Sequence, residues 1–381
     1  MLYYIQRLKY IRKPGIFQLY RNSFLCRFFL ITVTNAMQSL NFCLPDLIPL
    51  RSVRSAVRKK SSVSRAASGR FQLAAAVRQN LRALLPEDAA ATGTARGNID
   101  IMNKQELVAV LESLGMRPGR GLGQNFLLDG NLLDWIVRKS GATAGEKVLE
   151  VGPGFGALTE KLLAAGVDLT AIEFDRRIAG YLRKKFAGVP NFKLVEADAC
   201  KVMYRELFPE GVKFRAIANL PYAISSVFIA RMLECLNPPQ SMFFMLQKEM
   251  GERLAAQPGT KAYGALSVRT QLVYDVAVEK IVPPQVFCPP PEVDSALVSF
   301  KLKAEPLCDM DTADIVSWLV KMLFNQRRKQ MGKVLGTIIG KEQAAAAMAD
   351  AGFALEVRPD KLTVSDFVTL TQALMPYLDR E

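Results

Sequence analysis

The run Glu150-Val151-Gly152-Pro153-Gly154-Phe155-Gly156 constrains the fold of this 381-residue chain more than any other stretch. It follows a short apolar run, Lys147 to Val151, that reads as a strand, and it leads into the helix-patterned Ala157 to Ala165. Glycines between a strand and a helix let the backbone turn tightly and approach a ligand with no Cβ in the way. The same alternation continues downstream. Strands are expected at Leu169 to Glu173, Phe192 to Glu196, Phe214 to Ala218 and Ser241 to Gln247, with an amphipathic helix running through Phe186. This pattern predicts an α/β chain with a parallel, doubly wound Rossmann-like sheet. A late strand, Ala296 to Lys301, follows the turn Pro289-Pro290-Pro291. After Lys303 the text turns helical, with Ile315 to Met331, Lys341 to Ala351 and Val364 to Met375 as expected helices. The expected layout is an extension over 1–101, an α/β domain over 102–303 and a small all-helical domain over 304–381.

The formal net charge is +14, yet residues 1–100 hold 16 Lys or Arg against 4 acids, and the remainder holds 34 against 32. Global basicity therefore describes the extension, and any nucleic-acid partner has to be argued from local clusters. The extension is aromatic and apolar at first. From Arg51 it becomes rich in Arg and Ser and nearly acid-free, the composition of an organelle presequence. Its apolar stretch Phe24 to Val33 is interrupted by Arg27 and is too short for a membrane span. Met102 opens the regular M-N-K-Q-E-L-V-A-V-L-E-S-L-G and reads as the true start. On either reading residues 1–101 are expected to add no folded domain. The body is expected in the cytoplasm, or in an organelle stroma or matrix if the presequence is genuine.

The chain has no histidine, which removes Ser/His/Asp triads, His-activated cysteines and His-ligated metals. Its six cysteines, Cys26, Cys43, Cys200, Cys235, Cys288 and Cys308, form no C-x-x-C pair. Neither a zinc site nor a disulfide framework is expected. Cys200 and Cys235 sit in apolar stretches and read as small buried hydrophobes in a reducing compartment.

The glycine loop alone leaves the ligand open. Gly152, Gly154 and Ala157 also satisfy the dinucleotide fingerprint, and Glu173 stands at the ~20-residue distance at which an acid binds ribose hydroxyls. Asp198 ends the third strand, where a carboxylate can accept from the amino group of an adenine lying across the strand ends. Such an Asp is more often a turn residue. Acids at the ends of strands one, two and three, Glu150, Glu173 and Asp198, together with the loop fit an adenosyl ligand with a free ribose diol.

At the end of the fourth strand stands Asn219-Leu220-Pro221-Tyr222. An exocyclic adenine amine is a poor nucleophile because its lone pair is delocalised into the ring. To attack a sulfonium methyl, that lone pair must be aimed while acceptors hold the N–H groups. The Asn219 side-chain oxygen is one acceptor and the Leu220 carbonyl the second. Leu220 precedes a proline and is biased to extended backbone, and Pro221 has no N–H, so local carbonyls are expected to escape turn bonding. The Tyr222 ring offers a stacking face worth ~1–3 kcal/mol. No general base is needed, since the proton gains acidity only as the methyl arrives. Taken alone, the tetrapeptide equally fits an Asn-initiated turn.

Together these residues resemble the pattern of the rRNA adenine dimethyltransferases of the KsgA/RsmA type, over about residues 117–335. Gly123-Gln124-Asn125-Phe126-Leu127 is similar to the family's G-Q-N-F-L element, which implies that Asn125 and Leu127 contact the cofactor. The resemblance completes that set with Gly152, Gly154, Glu173, Asp198 and Asn219, and implies S-adenosylmethionine as the cofactor. Gln247-Lys248-Glu249 and Lys261-Ala262-Tyr263-Gly264 resemble later family blocks. Phe287-Cys288-Pro289-Pro290-Pro291-Glu292-Val293-Asp294-Ser295 resembles the Pro-rich loop whose Phe is implied to pack on the target base opposite Tyr222. Phe324-Asn325-Gln326-Arg327-Arg328-Lys329 is like the stretch that opens the helical domain. Where the family has a lysine-rich approach to G-Q-N-F-L, Arg117 and Arg120 stand among glycines.

The implied activity is transfer of two methyl groups to each of two adjacent adenosines in the 3′-terminal hairpin of small-subunit rRNA, by a monomer acting on the immature small subunit. A sister class acts on large-subunit rRNA, and relatives of the fold serve as binding proteins. For phosphate contacts the candidates are Arg327, Arg328 and Lys329, read as helical, together with Lys248 and Arg253. The charges of Arg176, Arg177, Arg183, Lys184 and Lys185 read instead as a solvated helix face.

Overall fold

The computed structural model describes residues 102–116 and 125–378. The expected extension over 1–101, Arg117 and Arg120, and Gly123 and Gln124 of the G-Q-N-F-L element lie outside the described residues. Helix α1 (Lys104–Ser113) is closed by a capping box between Asn103 and Glu106. Strand β1 (Phe126–Leu127) pairs antiparallel with β8 (Phe287–Cys288), Leu127 opposite Phe287. Between them the chain builds α2 (Gly130–Ser140), β2 (Lys147–Val151), α3 (Ala157–Ala164), β3 (Asp168–Glu173), α4 (Arg176–Lys185) and β4 (Phe192–Glu196). A single-turn α5 (Tyr204–Leu207), β5 (Phe214–Asn219), α6 (Ser225–Leu233), β6 (Ser241–Gln247), α7 (Lys248–Leu254), α8 (Ala265–Val273) and β7 (Tyr274–Val282) follow. β9 (Ser295–Leu302) leads into α9 (Met310–Asn325), α10 (Met331–Ile339), α11 (Lys341–Asp350) and α12 (Val364–Leu378).

The main sheet runs β4-β3-β2-β5-β6-β9-β7. Strand β2 shows why the run from Lys147 folds this way. Val148, Leu149 and Val151 are all buried, and successive side chains go to opposite faces. Leu149 and Val151 join a core with Phe228 and Phe244, while Val148 joins one with Leu158 and Leu162.

The five strands expected from Lys147 to Gln247 form the parallel sheet that their pattern predicts. Strand β9, however, pairs antiparallel with both β6 and β7. The β7–β9 connection carries the Pro-rich turn and no crossover helix, and only a crossover can restore a parallel direction. Strand β7 itself was missed. It lies at the sheet edge with a register shift between Val278 and Lys280, so its alternation is broken.

The expected boundary at 303/304 does not separate two cores. The C-terminal helices share their core with Ala256, Tyr263, Val268 and Leu272, which come before it. The expected helix Ile315 to Met331 is also corrected, because it stops at Asn325 and restarts at Met331. Between them the Lys329 N–H turns back onto the Gln326 carbonyl (2.7 Å). The first N–H groups of α10 then go to another segment, Met331 to the Val357 carbonyl (2.8 Å) and Gly332 to that of Leu355 (3.0 Å).

Among the described residues no helix is long and apolar enough to cross a membrane, and no cluster of three or more His, Cys, Asp or Glu could hold a metal ion. The four described cysteines are free thiols.

Candidate active site

The strand order reverses between β2 and β5, and the crevice at their carboxyl ends is where an open α/β sheet receives a ligand. The glycine loop lines it. Gly152 has φ +66°, and a Cβ there would lie 3.0 Å from the Pro221 ring. Gly154 has φ +57°, and a Cβ there would lie 3.1 Å from the Phe126 ring. Both glycines therefore do two things at once. They adopt left-handed backbone that costs an L-residue ~1–2 kcal/mol, and they admit a neighbouring ring.

The three acids expected at the strand ends have different fates. Glu150 is 1% exposed, and its Oε2 accepts from the Thr159 hydroxyl at 2.7 Å. Burial, with the Glu173 charge nearby, pushes its carboxyl up to about 8, so it is largely protonated at neutral pH. Glu150 thus supports the loop from beneath, and the expectation that it joins the ligand-facing acids is corrected. A strand residue on the helix-covered face points into packing, whatever its chemistry.

Glu173 is also mostly buried. Burial raises its pKa, against the backbone N–H groups of Asp175, Gly154 and Phe174 that bind its charged form. The Asp175 N–H reaches Oε1 at 2.9 Å. These donors hold the carboxylate at the tip of β3. Asp198 accepts from the Cys200 N–H at 2.9 Å and lies 3.0 Å from Lys201 Nζ. Burial pushes its pKa up, but Lys201 and that N–H outweigh it and hold the carboxyl below its ordinary value.

At the end of β5 the Asn219 amide nitrogen donates to the Asn125 carbonyl at 3.1 Å. With Nδ2 committed there, Oδ1 is the end of the amide left to accept from a ligand. The Leu220 side chain is buried and its N–H goes to the Met245 carbonyl (3.3 Å). The expectation that local carbonyls escape turn bonding needs correcting by one residue. Those of Pro221 and Tyr222 accept from Ile224 (3.1 Å) and Ser225 (3.4 Å), while the Leu220 carbonyl precedes this turn. The Tyr222 hydroxyl lies 2.6 Å from Ser295 Oγ. Burial raises the phenol pKa, opposed by that bond, so the hydroxyl stays protonated.

Phe287 is 4% exposed in a core with Leu127 and Leu133 and has no free face, which departs from the packing expected opposite Tyr222. Its pairing with Leu127 buries both side chains. Leu128 N–H adds a bond to the Val286 carbonyl (3.2 Å), so residues 125–128 are tied to the Pro-rich loop as well as to Asn219.

The expected RNA residues separate. Arg327 is in the turn after α9, not on a helix, and its guanidinium donates to the carbonyls of Lys261 (2.7 Å) and Thr260 (2.8 Å). It is a tie between segments, and the expectation of a phosphate contact there is corrected. Arg328 and Lys329 stand exposed in the same turn. Lys248 Nζ is 3.6 Å from Asp294, and Arg253 pairs with Glu249 at 2.9 Å. On α4, Arg177 pairs with Asp175, both Arg176 and Arg183 pair with Glu196, and Lys185 pairs with Glu160. Sequence reasoning missed Thr159, Lys201 and Ser295 as partners, because each meets its acid or phenol through tertiary folding or as an ordinary turn residue.

The model of the ribosomal RNA adenine dimethylase family matches residues 118–375. The chain belongs to that family. It is 37% identical over 286 residues to the ribosomal RNA small subunit methyltransferase A of Ligilactobacillus salivarius, covering 72% of this chain and 96% of that protein. It is 40% identical over 260 residues to the protein of the same name from Pseudomonas aeruginosa, covering 68% and 95%. Among solved structures it resembles the 23S rRNA methyltransferase ErmE, with a TM-score of 0.52 and 26% identity over 66% of this chain and 99% of that one. A dimethyladenosine transferase from Plasmodium falciparum shares the fold, with a TM-score of 0.56 and 24% identity over 66% and 98%.

As a member of the ribosomal RNA adenine dimethylases this protein is an S-adenosylmethionine-dependent methyltransferase. The crevice fits that cofactor. Gly152 and Gly154 keep the loop in left-handed backbone closely packed on Pro221 and Phe126, and Glu173 and Asp198 present carboxylates at adjacent strand ends for hydroxyl and amino donors.

Proposed function

We propose that this dimethylase modifies the exocyclic amines of two adjacent adenosines in the 3′-terminal hairpin of small-subunit rRNA, with the immature small subunit as its substrate. The small-subunit assignment draws on relatives at 37% and 40% identity that are covered almost from end to end. The observation that carries the chemistry is the Asn219 amide, fixed on the Asn125 carbonyl with Oδ1 left to accept.

On this reading Asn125, Leu127, Gly152, Gly154, Glu173, Asp198 and Asn219 hold S-adenosylmethionine, which when bound supplies an electrophilic methyl on a sulfonium. Asn219 Oδ1 and the Leu220 carbonyl accept the two N–H groups of the target amine and aim its lone pair. Tyr222 gives the extracted base a stacking face, and Phe287 backs the wall of the pocket. The amine proton, acidified as the new C–N bond forms, leaves to solvent. A second methylation needs only one N–H acceptor, since the singly methylated amine keeps one hydrogen.

Lys248, Arg253, Arg328 and Lys329 are proposed to meet phosphates, and the enzyme to act as a cytoplasmic monomer. The experiment is transfer of labelled methyl from S-adenosylmethionine to immature small subunits, with large-subunit RNA alongside. Label in two adjacent adenosines of the small-subunit RNA is expected. Label confined to the large-subunit RNA, or none with subunit binding retained, would refute the proposal.

A further inference from the structure

We propose that Ser295 is a positioning residue for methyl transfer, anchoring the Tyr222 hydroxyl so that the ring cannot swing out of the place where the target base stacks. The inference rests on the stacking role given to Tyr222 above.

Tyr222 is held at both ends. Its backbone belongs to the turn in which Ser225 returns both its N–H and its hydroxyl to the Tyr222 carbonyl, the latter at 3.0 Å. Its hydroxyl meets Ser295 Oγ at 2.6 Å. The phenolic oxygen lies on the Cβ–Cγ axis, so anchoring it fixes the line of the ring and leaves only rotation about that line. Without the anchor a half-buried tyrosine can move to another χ1 rotamer, and its stacking face leaves the neighbourhood of Asn219 and Leu220.

The anchor point is rigid. Ser295 is fully buried and opens β9, in register with Gln247 of β6 on one side and Val282 of β7 on the other. The residue before it is tied down as well, since the Asp294 carbonyl accepts from the Lys248 N–H at 2.9 Å. A serine fits here because a buried phenol must find a hydrogen-bond partner and a small hydroxyl supplies one without displacing the ring. The distance between stacking face and amine acceptors is thus set by the antiparallel half of the sheet, not by the catalytic turn alone.

The test measures kcat and KM for methyl transfer to immature small subunits in Ser295→Ala, Tyr222→Phe, their double variant and Tyr222→Leu. Cofactor affinity and the fluorescence of 2-aminopurine at the target position are read alongside. Ser295→Ala and Tyr222→Phe are each expected to lower kcat about tenfold, as a sub-ångström loss of alignment does. KM for RNA and cofactor affinity should stay put, 2-aminopurine stacking should weaken, and the double variant should be no worse than either single one. Losses that multiply in the double variant, or parental kcat in Tyr222→Phe, overturn the inference. Should Ser295→Ala not fold, Tyr222→Phe carries the test alone. Parental activity in Tyr222→Leu would instead sink the stacking role itself, whereas an inactive Tyr222→Leu beside a fully active Tyr222→Phe removes only the anchor.

Discussion

The ring of Pro221 rests on Gly152, so closely that a Cβ on the glycine would fall 3.0 Å from both Cγ and Cδ of the proline. The loop proposed to receive the cofactor and the turn proposed to receive the base are therefore packed against each other directly. Gly152 also donates its N–H to the Ile172 carbonyl at 3.0 Å, which pins the loop to β3. A shift in one turn must be felt in the other.

Gly152→Ala tests that contact. Left-handed backbone at an alanine costs ~1–2 kcal/mol, and Pro221 has to give way besides. The variant should unfold at lower denaturant, bind S-adenosylmethionine more weakly and lose about tenfold in kcat. An alanine variant with parental kcat would mean the two turns are not mechanically joined.

Asn219→Ala removes the proposed amine acceptor and leaves the Asn125 carbonyl without its donor. Cofactor binding by calorimetry should be largely kept, while methyl transfer drops by about a hundredfold or more, the scale of losing one preorganised polar contact to a reacting centre. Full transfer in this variant would refute the assignment of Oδ1.

Glu150→Gln separates burial from charge, because glutamine can still accept from the Thr159 hydroxyl. The Glu150 pKa is raised from 4.5 to about 8 in the folded protein, so the native state holds an extra proton between those values. Its contribution to stability is full below pH 4.5 and is lost as pH rises toward 8. Thermal melts should show the variant gaining on the parent across that window and level with it at the acid end. A constant difference from pH 5 to 8 would contradict the protonated state.

Arg327→Ala is expected to destabilise the protein by about 1–2 kcal/mol, since two charge-assisted bonds to carbonyls are lost at a partly exposed site. Arg328→Glu with Lys329→Glu should leave the melting temperature near the parental value. It should weaken RNA binding and lower the salt dependence by about one counterion per lost phosphate contact. The reverse pattern, with Arg327 silent in stability, would exchange the roles of Arg327 and of the pair Arg328 and Lys329.

The parallel half of the sheet was legible in the chain because each strand is an apolar run closed by a polar or glycine residue. β2, β4 and β6 fall where periodicity places them. The edge strand β7 was not legible, since a bulged, half-exposed strand has no clean alternation. The break at 326–330 was hidden for another reason. Gln326 to Gln330 contains no glycine or proline; the N–H groups of Gln326, Arg327 and Lys329 turn onto carbonyls three residues back, and those of Met331 and Gly332 go to the distant carbonyls of Val357 and Leu355.

The same division runs through the site. The types and order of Gly152, Gly154, Glu173, Asp198, Asn219 and Tyr222 are local properties, because strand ends and turns are set by neighbours in the chain, and together with the other motif blocks they carried the family resemblance that implied the cofactor. What each side chain is free to do was decided by partners on other elements of the fold. Thr159 holds Glu150 in the core, Asn125 turns the Asn219 amide, Ser295 holds the Tyr222 hydroxyl, and the carbonyls of Thr260 and Lys261 take Arg327. A hydrogen bond needs both groups at one distance and angle, and only the folded chain brings them there.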